Sequence, residues 1–375
     1  MPRLFLGNFD FEHRLADPVR QLPAKLNRIN AELAMSWLAI ADDGDYLWTP
    51  QPIEASFFEQ AARDGLPRVM PATSPDAVPP GVECVPWGWT NDIRQLCDRH
   101  GWIRNAPPHE AVRLGNSRRF SAGLEREWLV GLDGAADVPQ SFPAADALLK
   151  GLGPGTRWVL KAEFGMSGRE RLLGEGPLTE AARNWLCKRF PLGRVFLEPW
   201  VSRLDEIGIQ IEIPRAGEPH LIGLASLLVD ANGQYAGSRF GINATLDEWD
   251  AAVDVALRAA VRLQHAGYFG PLGIDAMRYR DANGQQRVRP LQDINARWTM
   301  GRLSLGWRRL CQSAESGCWL HGPVPLPQTD NRTIAVDAGC EFLPRDPQRG
   351  RRIRTSPEIV GGHPASHQSF LWIDS

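Results

Sequence analysis

The sequence lacks several features that would place it in a common class of protein. It has no run of about 18 apolar residues, so we expect no transmembrane helix. Its first residues, MPRLFLGNFDFEH, do not combine a basic region with an apolar core, so we expect no signal peptide. The net charge of −2 does not supply the basic surface that nucleic-acid binding requires. We therefore expect neither a membrane nor a nucleic acid among the partners.

Cysteine is also sparse. The six cysteines form no CxxC pair and no closely spaced framework, which predicts free thiols in a reducing cytoplasm. No convincing Ser-His-Asp or Cys-His arrangement stands out, so no side-chain nucleophile is predicted. What is present is typical of a globular protein, with 43% hydrophobic and 23% charged residues. A chain of 375 residues is long enough for two or three substructures.

The first 105 residues alternate weakly between strand and helix patterns. Leu4 to Phe9 is typical of a short buried strand, and Leu22 to Leu33 is helical in pattern. The apolar run from Ser36 to Ile40 predicts a second strand. These patterns favour a small α/β domain at the N-terminus.

The most informative stretch runs from Gly270 to Gly301 and predicts two strands joined by a tight turn. Asp281 and Gly284 hold the first and last positions favoured in a type I turn. Gly284 can then take the left-handed conformation that closes a three-residue hairpin with a bulge. In that register Asp281 faces Gln285.

The register determines which acidic side chains share a face of the hairpin. It places Asp275 opposite Leu291, with Asp293 one diagonal further along, so Asp275, Asp293 and Asn295 point to the same side. A register shifted by one residue would turn Asp275 to the other side. Two carboxylates and an amide offer only oxygen, which suits Mg²⁺ better than zinc. The alternative is the polar outer face of an ordinary hairpin.

A glycine-containing loop follows a predicted strand at residues 156–162. The strand carries Lys161, and the loop contains Gly165 and Gly168. Glycines let backbone N–H groups approach an anion closely, so the loop can cradle a phosphate. It is not a Walker A loop, because the lysine precedes the glycines. An ordinary hairpin turn is the alternative.

A third signal is a buried strand that ends in Glu198-Pro199-Trp200-Val201. Pro199 has no N–H and holds Glu198 in an extended conformation. Main-chain groups beside the proline are therefore expected to lack strand partners and could meet the edge of a purine. The alternative is a simple strand end.

Taken in chain order, these signals resemble the ATP-grasp superfamily, whose members join a carboxylate to an amine or another nucleophile at the expense of ATP. The resemblance covers residues 116–301 and is most specific in Gly273-Ile274-Asp275 and Asp293-Ile294-Asn295-Ala296-Arg297. It implies an α+β ATP-grasp fold with a small N-terminal α/β domain at 1–105. Two α+β subdomains would sandwich ATP, a lid at 106–200 and a core with the metal site at 201–330. Residues 331–375 would form an extension that packs on the body.

The resemblance also implies a role for each matching residue. The nucleotide would be contacted by Arg118, Lys161, Gly165, Gly168, Glu198, Trp200, Val201 and Glu206. Asp275, Asp293 and Asn295 match magnesium ligands, and Glu206 matches the acid that holds the ribose. Lys161 and Arg297 would act in catalysis, with Arg297 near the transferred phosphate or acyl group. Arg239 is a further candidate, for the substrate carboxylate.

The function implied is an ATP- and Mg²⁺-dependent ligase that activates a carboxylate as an acylphosphate and joins it to an amine. Its partners would be small-molecule or peptide carboxylates and amines. The alternatives are a kinase of the same superfamily that phosphorylates a small molecule, and a nucleotide-binding protein without turnover. The oligomeric state stays open, with a homodimer as one alternative.

Overall fold

A five-stranded parallel sheet, in the order β3-β2-β1-β4-β5, lies within residues 3–104. The computed structural model describes residues 1–18, 24–165, 170–229, 233–240, 246–311, 316–323 and 351–374. The strands are β1 (Arg3–Leu6), β2 (Tyr46–Trp48), β3 (Met70–Ala72), β4 (Glu83–Pro86) and β5 (Ile103–Arg104). The helices are α1 (Phe11–Ala16), α2 (Ala24–Ala34), α3 (Ala55–Arg63) and α4 (Asn91–His100). The first of these strands is apolar and buried along Leu4 to Leu6, as expected for a strand covered on both faces.

The strand predicted at Ser36–Ile40 is wrong. Residues Met35–Ala39 form a 3₁₀ helix that directly continues α2, and all five are buried. A short run that is apolar on every side gives no periodicity, so it cannot distinguish a buried strand from a buried helix.

A four-stranded antiparallel sheet, in the order β6-β9-β7-β8, follows within residues 136–199. The strands are β6 (Ala136–Val138), β7 (Arg157–Ala162), β8 (Arg171–Glu175) and β9 (Val195–Pro199). The helices of this region are α5 (His109–Asn116), α6 (Arg118–Trp128), α7 (Phe142–Gly151) and α8 (Glu180–Arg189). Trp158, Leu160, Leu186 and Leu197 belong to a hydrophobic cluster of their own. The sheet therefore has a core separate from that of the strands that follow.

An eight-stranded antiparallel sheet forms the largest layer, in the order β14-β13-β10-β11-β12-β15-β19-β16. Its strands are β10 (Ser202–Ile213), β11 (His220–Val229), β12 (Tyr235–Phe240), β13 (Gly270–Arg280), β14 (Gln286–Asn295), β15 (Ser316–Pro323), β16 (Arg351–Arg354) and β19 (His367–Asp374). The short strands β17 (Ile359–Val360) and β18 (His363–Pro364) pair with each other. Helix α9 (Leu246–His265) buries Ala256, Ala260 and Leu263 in one cluster with Ile209 and Ile211 of β10. Helix α10 (Met300–Gly306) follows β14 and contacts β11 and β12.

The turn between β13 and β14 has the predicted geometry. The N–H of Gly284 donates to the carbonyl of Asp281 at 2.9 Å, and the N–H of Asp281 donates to the carbonyl of Gln285 at 2.9 Å. Gly284 has a φ of 76°, in the left-handed region. The side chain of Asp281 also accepts from the N–H groups of Asn283 and Gln285. The three-residue hairpin is confirmed.

The predicted pairing of Asp275 with Leu291 is wrong by two residues. The turn register holds as far as Met277, which pairs with Arg289, and beyond an irregularity Asp275 pairs with Asp293. Pro290 lies in this irregularity and has no N–H for the ladder, which is where a strand proline is tolerated. Because the shift is even, Asp275 and Asp293 stay on one face.

The last described segment joins the body of the protein in two ways. Strands β16 and β19 extend the eight-stranded sheet through β15, and Glu32 of α2 accepts hydrogen bonds from Ser366 and His367. Residues 331–350 of the predicted C-terminal extension lie outside the described residues. None of the helices in the described parts of the chain is long and apolar enough to cross a membrane.

Candidate active site

A cavity of about 160 Å³ is lined by residues of the four-stranded and eight-stranded sheets and by Trp87 of the N-terminal region. Several residues predicted for the site line it: Arg118, Lys161, Gly165, Glu206, Asp275, Asp293, Asn295 and Arg297. They come from the start of α6, from β7 and the loop after it, from β10 and β13, and from β14 and the residues just beyond it, so the fold brings together residues that lie far apart in sequence. Gly168, predicted for the phosphate loop, lies outside the described residues.

Two acids face each other at the centre of the cavity. Asp275 of β13 is directly opposite Asp293 of β14, and Asn295 pairs with Gly273 one step along the same face. The amide Nδ2 of Asn295 donates to Oδ2 of Asp275 at 3.5 Å. Burial raises the pKa of Asp275 to about 8, and the negative charges of Asp293 and Glu206 contribute to the rise. The site therefore concentrates negative charge on two partly buried carboxylates.

The residues present fit a divalent cation. A cation between Asp275 and Asp293 would remove the repulsion that opposes the ionisation of Asp275, and oxygen donors are what Mg²⁺ prefers. The described residues contain no cluster of three or more His, Cys, Asp and Glu side chains arranged for a metal. A third protein ligand would therefore be the amide oxygen of Asn295, which now accepts from Nη2 of Arg297 at 2.9 Å.

Positive charge also lines the cavity. Arg118 follows the N-cap Ser117 of α6 and donates from Nη2 to Oδ2 of Asp293 at 3.1 Å. Lys161 of β7 is buried, and its Nζ lies 2.6 Å from Oε2 of Glu198. Burial lowers the pKa of Lys161 to about 8, against the opposing effect of Glu198. Both cations line the same cavity as the two acids, a combination that suits a polyanion bound through a metal.

Two charged residues behind Lys161 were not identified from the sequence. Arg289 of β14 donates to both oxygens of Glu198, at 2.8 and 3.1 Å, and to both oxygens of Glu125 of α6, at 2.5 and 2.9 Å. Burial opposes ionisation of Glu198, but the charges of Arg289 and Lys161 outweigh it and hold the pKa of Glu198 well below its usual range. No sequence motif marked Arg289 or Glu125, which meet across 164 residues.

Arg297 is held by residues from the N-terminal part of the chain. Its Nε donates to Oε1 of Glu12 at 2.5 Å, and its guanidinium lies 5.1 Å from the ring centroid of Trp87. Glu12 is almost fully buried, and its second oxygen, Oε2, has no hydrogen-bond partner among the described residues. Burial raises the pKa of Glu12, and Arg297 only partly offsets this. No sequence motif marked Glu12, which lies 285 residues from Arg297.

The predicted adenine segment connects two sheets. Strand β9 ends at Pro199 and β10 begins at Ser202, so Trp200 and Val201 form the link between the four-stranded and eight-stranded sheets. The expectation that main-chain groups beside Pro199 lack partners is wrong for Trp200. Its N–H donates to the carbonyl of Arg157 at 2.8 Å. Neither Trp200 nor Val201 is among the described residues that line the cavity. Glu198 does not line the cavity either, and its link to the site is its contact with Lys161.

Glu206 and Arg239 differ in position. Glu206 lines the cavity, accepts from Nη1 of Arg203 at 2.7 Å, and is opposite Leu227. Leu227 in turn is opposite Ser238 of β12, so Arg239, the next residue, faces the other side of the sheet. Arg239 is not among the described residues that line the cavity, and its predicted contact with the substrate carboxylate receives no support from this register.

Comparison with known proteins gives one curated relative. The chain is 29% identical over 145 residues to the [butirosin acyl-carrier protein]–L-glutamate ligase of Niallia circulans. That match covers 38% of this chain and 33% of the relative, so it spans about a third of the length of that enzyme. No family model matches the chain.

Solved structures match over almost the whole chain. Biotin carboxylase of Campylobacter jejuni, in a β-γ-ATP complex, has a TM-score of 0.54 at 12% identity and covers 99% of this chain and 87% of its own. N5-carboxyaminoimidazole synthetase of Staphylococcus aureus with ADP has a TM-score of 0.53 at 12% identity, and the match covers 98% of this chain and 92% of that enzyme.

The biotin carboxylase domain of Hydrogenobacter thermophilus 2-oxoglutarate carboxylase, with MgADP and bicarbonate, has a TM-score of 0.53 at 14% identity. The match covers 98% of this chain and 85% of that domain. Likenesses at such low identity show a shared fold, and one fold can host many activities. The mixed helices and sheets described above agree with the fold of these ATP-grasp enzymes. The chain therefore has the ATP-grasp fold that the resemblance implied.

Proposed function

We propose that the protein is an ATP- and Mg²⁺-dependent ligase that activates a carboxylate as an acylphosphate and joins it to an amine. The observation that carries the proposal is a cavity lined by Asp275, Asp293 and Asn295 from one sheet face, by Arg297 just beyond β14, and by the buried Lys161. The ATP-grasp fold and the partial match to a carrier-protein–glutamate ligase support it.

A carboxylate is a poor electrophile and must be activated before an amine can attack it. Transfer of the γ-phosphoryl group to the carboxylate brings two anions together, so positive charge is needed between them. Lys161 and Arg118 supply fixed positive charge on the lid side of the cavity. When bound between Asp275 and Asp293, Mg²⁺ would neutralise phosphate oxygens in the same place.

Arg297 is assigned to the second half of the reaction. Attack of the amine on the acylphosphate produces a tetrahedral oxyanion, which a preorganised guanidinium stabilises. Arg297 is preorganised, because Glu12 holds its Nε and Asn295 holds its Nη2. The indole of Trp87 lies beside the guanidinium and also lines the cavity, so it limits the water that reaches this end.

The substrates we propose are small-molecule or peptide carboxylates and amines, which would be used in the cytoplasm, where ATP is supplied. The curated relative is named for a carrier protein and L-glutamate. A carboxylate or amine tethered to a carrier protein therefore belongs in the panel of candidates.

The proposal is tested by a screen of acids and amines, including amino acids and carrier-bound acyl groups, with Mg-ATP. We expect ADP and inorganic phosphate to appear in equal amounts and only when both partners are present, with a condensed product in the mass spectrum. ADP without free phosphate, together with a phosphorylated hydroxyl compound, would instead identify a kinase.

A further inference from the structure

Four buried charged side chains form a line from α6 to the cavity. They alternate in sign in the order Glu125, Arg289, Glu198 and Lys161, so the line is neutral as a whole. All four are buried, and each neighbouring pair is within 2.9 Å at its closest contact. Lys161 lines the candidate active site, whereas Arg289 does not.

The geometry at Glu198 shows how the charge is shared. Nη1 of Arg289 and Nζ of Lys161 both lie within hydrogen-bond distance of Oε2 of Glu198, and Nη2 of Arg289 donates to Oε1. A bidentate arginine is the strongest partner a carboxylate can have. Arg289 thus satisfies Glu198 on both oxygens, and Lys161 makes one contact there.

We propose that Arg289 is a positioning residue for the nucleotide: by neutralising Glu198, it leaves the charge and the remaining N–H donors of Lys161 available to the phosphates in the cavity. The inference rests on the proposed function, in which Lys161 contacts those phosphates. Arg289 acts through Glu198 and Lys161 and is not itself a catalytic residue.

The surroundings of Lys161 determine what happens when Arg289 is lost. Glu198 faces Lys161 from β9, Arg118 and Glu125 act on it from α6, and Arg289 acts on it from β14. Arg171 of β8 pairs with Lys161 across the β7–β8 ladder. Without Arg289, the only strong cationic partner of Glu198 in this line would be Lys161. Glu198 would then hold Lys161 more tightly, and the pKa of Lys161 would rise from about 8.

The test compares Mg-ATP binding by calorimetry in three variants. Glu125→Gln alone serves as the background, because Arg289→Met without it would leave a second buried carboxylate unpaired. Against that background we expect Arg289→Met to weaken Mg-ATP binding about tenfold or more, the scale seen when residues that orient a ligand-binding side chain are removed. The matched control is Arg287→Met, on the same strand but half exposed and paired with Asp281, which should leave the affinity within about twofold.

A pH series separates positioning from a general structural defect. Relative to Lys161→Ala, the affinity of the unaltered protein should fall as the pH rises through about 8, where Lys161 loses its proton. Asp275 titrates in the same range and would favour Mg²⁺ as it ionises, but it is common to both proteins. In the double variant this fall should move to higher pH. An affinity and a pH profile equal to those of Glu125→Gln would overturn the inference, while the proposed function would stand. If the unaltered protein binds no Mg-ATP, the proposed function fails and the inference with it.

Arg289→Lys provides a second variant in case the double variant does not fold. It keeps the charge but loses the planar fork that contacts both oxygens of Glu198. We expect an affinity between those of the unaltered protein and the double variant. An affinity equal to that of the unaltered protein, in a folded Arg289→Lys variant, would show that the bidentate contact does not position Lys161.

Discussion

Asp275 and Asp293 face each other directly across β13 and β14, and Arg118 of α6 bonds to the second of them at 3.1 Å. This facing pair exists because an irregularity at Pro290 shifts the hairpin register by two residues, bringing Asp293 level with Asp275. The same hairpin carries Asn295, and Arg297 follows two residues later. The metal ligands and the catalytic arginine we propose are thus placed by one hairpin.

Asp293→Ala should abolish turnover and leave the fold intact. Removal of one of two facing carboxylates takes away a proposed metal ligand, which we expect to cost several kcal/mol of transition-state stabilisation, or at least about a hundredfold in rate. The measurement is ADP release at saturating Mg-ATP, with circular dichroism as the check on folding. Asp254→Ala, at an exposed position on α9, is the matched control. A full rate in Asp293→Ala would disprove the role of the hairpin.

Glu12→Gln should lower kcat and leave Mg-ATP affinity nearly unchanged. The substitution removes the negative charge that holds Arg297 and leaves a buried guanidinium without its counter-charge, which costs about 3 kcal/mol of stability. Thermal unfolding and kcat are measured together. Glu12→Gln with Arg297→Gln should recover much of the stability but none of the turnover. If the single variant is as stable and as active as the unaltered protein, the Glu12–Arg297 contact has no role.

Lys161→Ala should weaken nucleotide binding, because a fixed positive charge is lost from the cavity. Burial lowers the pKa of Lys161 to about 8, whereas Asp275, whose pKa is also about 8, titrates in the unaltered protein and the variant alike. The variant should therefore bind more weakly than the unaltered protein at pH 7, and this difference in affinity should shrink as the pH rises to 9. Calorimetric titration with Mg-ATP at several pH values tests both statements. Unchanged affinity in Lys161→Ala would contradict the proposed pocket.

Glu32→Gln should detach the C-terminal strands from α2. Burial of Glu32 acts to raise its pKa, but hydrogen bonds from His367 and Ser366 outweigh burial and lower the pKa to about 2. A carboxyl pKa lowered on folding stabilises the protein above pH 4–5, and this stability is lost as the pH falls toward 2.

We expect Glu32→Gln to lose about 2 kcal/mol at pH 7 and to show a smaller loss of stability between pH 5 and pH 3. Denaturant unfolding at pH 7, 5 and 3 measures both effects. Equal acid sensitivity in the variant and the unaltered protein would show that Glu32 does not couple this contact to pH.

The parts of the site that could be predicted are those determined locally. The turn depends on Asp281 and Gly284, which lie three residues apart, and its chemistry places the acids on one face. The two-residue shift at Pro290 could not be deduced from the sequence, because the place of a strand irregularity depends on how the neighbouring strand pairs with it. Glu12 was missed because it meets Arg297 across 285 residues, a contact that only the packing of the N-terminal domain creates.

The charged residues behind Lys161 were missed for the same reason, because they meet only across a long stretch of chain. Glu125 lies 164 residues before Arg289 and appears in sequence as an ordinary helix acid. The strand expected at Ser36–Ile40 failed for another reason, since full burial on all sides removes the periodicity on which the prediction depends. Local chemistry was therefore predictable, and long-range pairing of charges was not.

The most direct test of the proposed ligase uses a carboxylate substrate labelled with ¹⁸O, together with Mg-ATP and an amine. In the proposed reaction a carboxylate oxygen attacks the γ-phosphorus, ADP leaves, and the amine then displaces phosphate with cleavage of the carbon–oxygen bond. The labelled oxygen must therefore leave with the phosphate. We predict inorganic phosphate that carries one ¹⁸O atom in the mass spectrum. Product formation with unlabelled phosphate would contradict activation of the carboxylate as an acylphosphate.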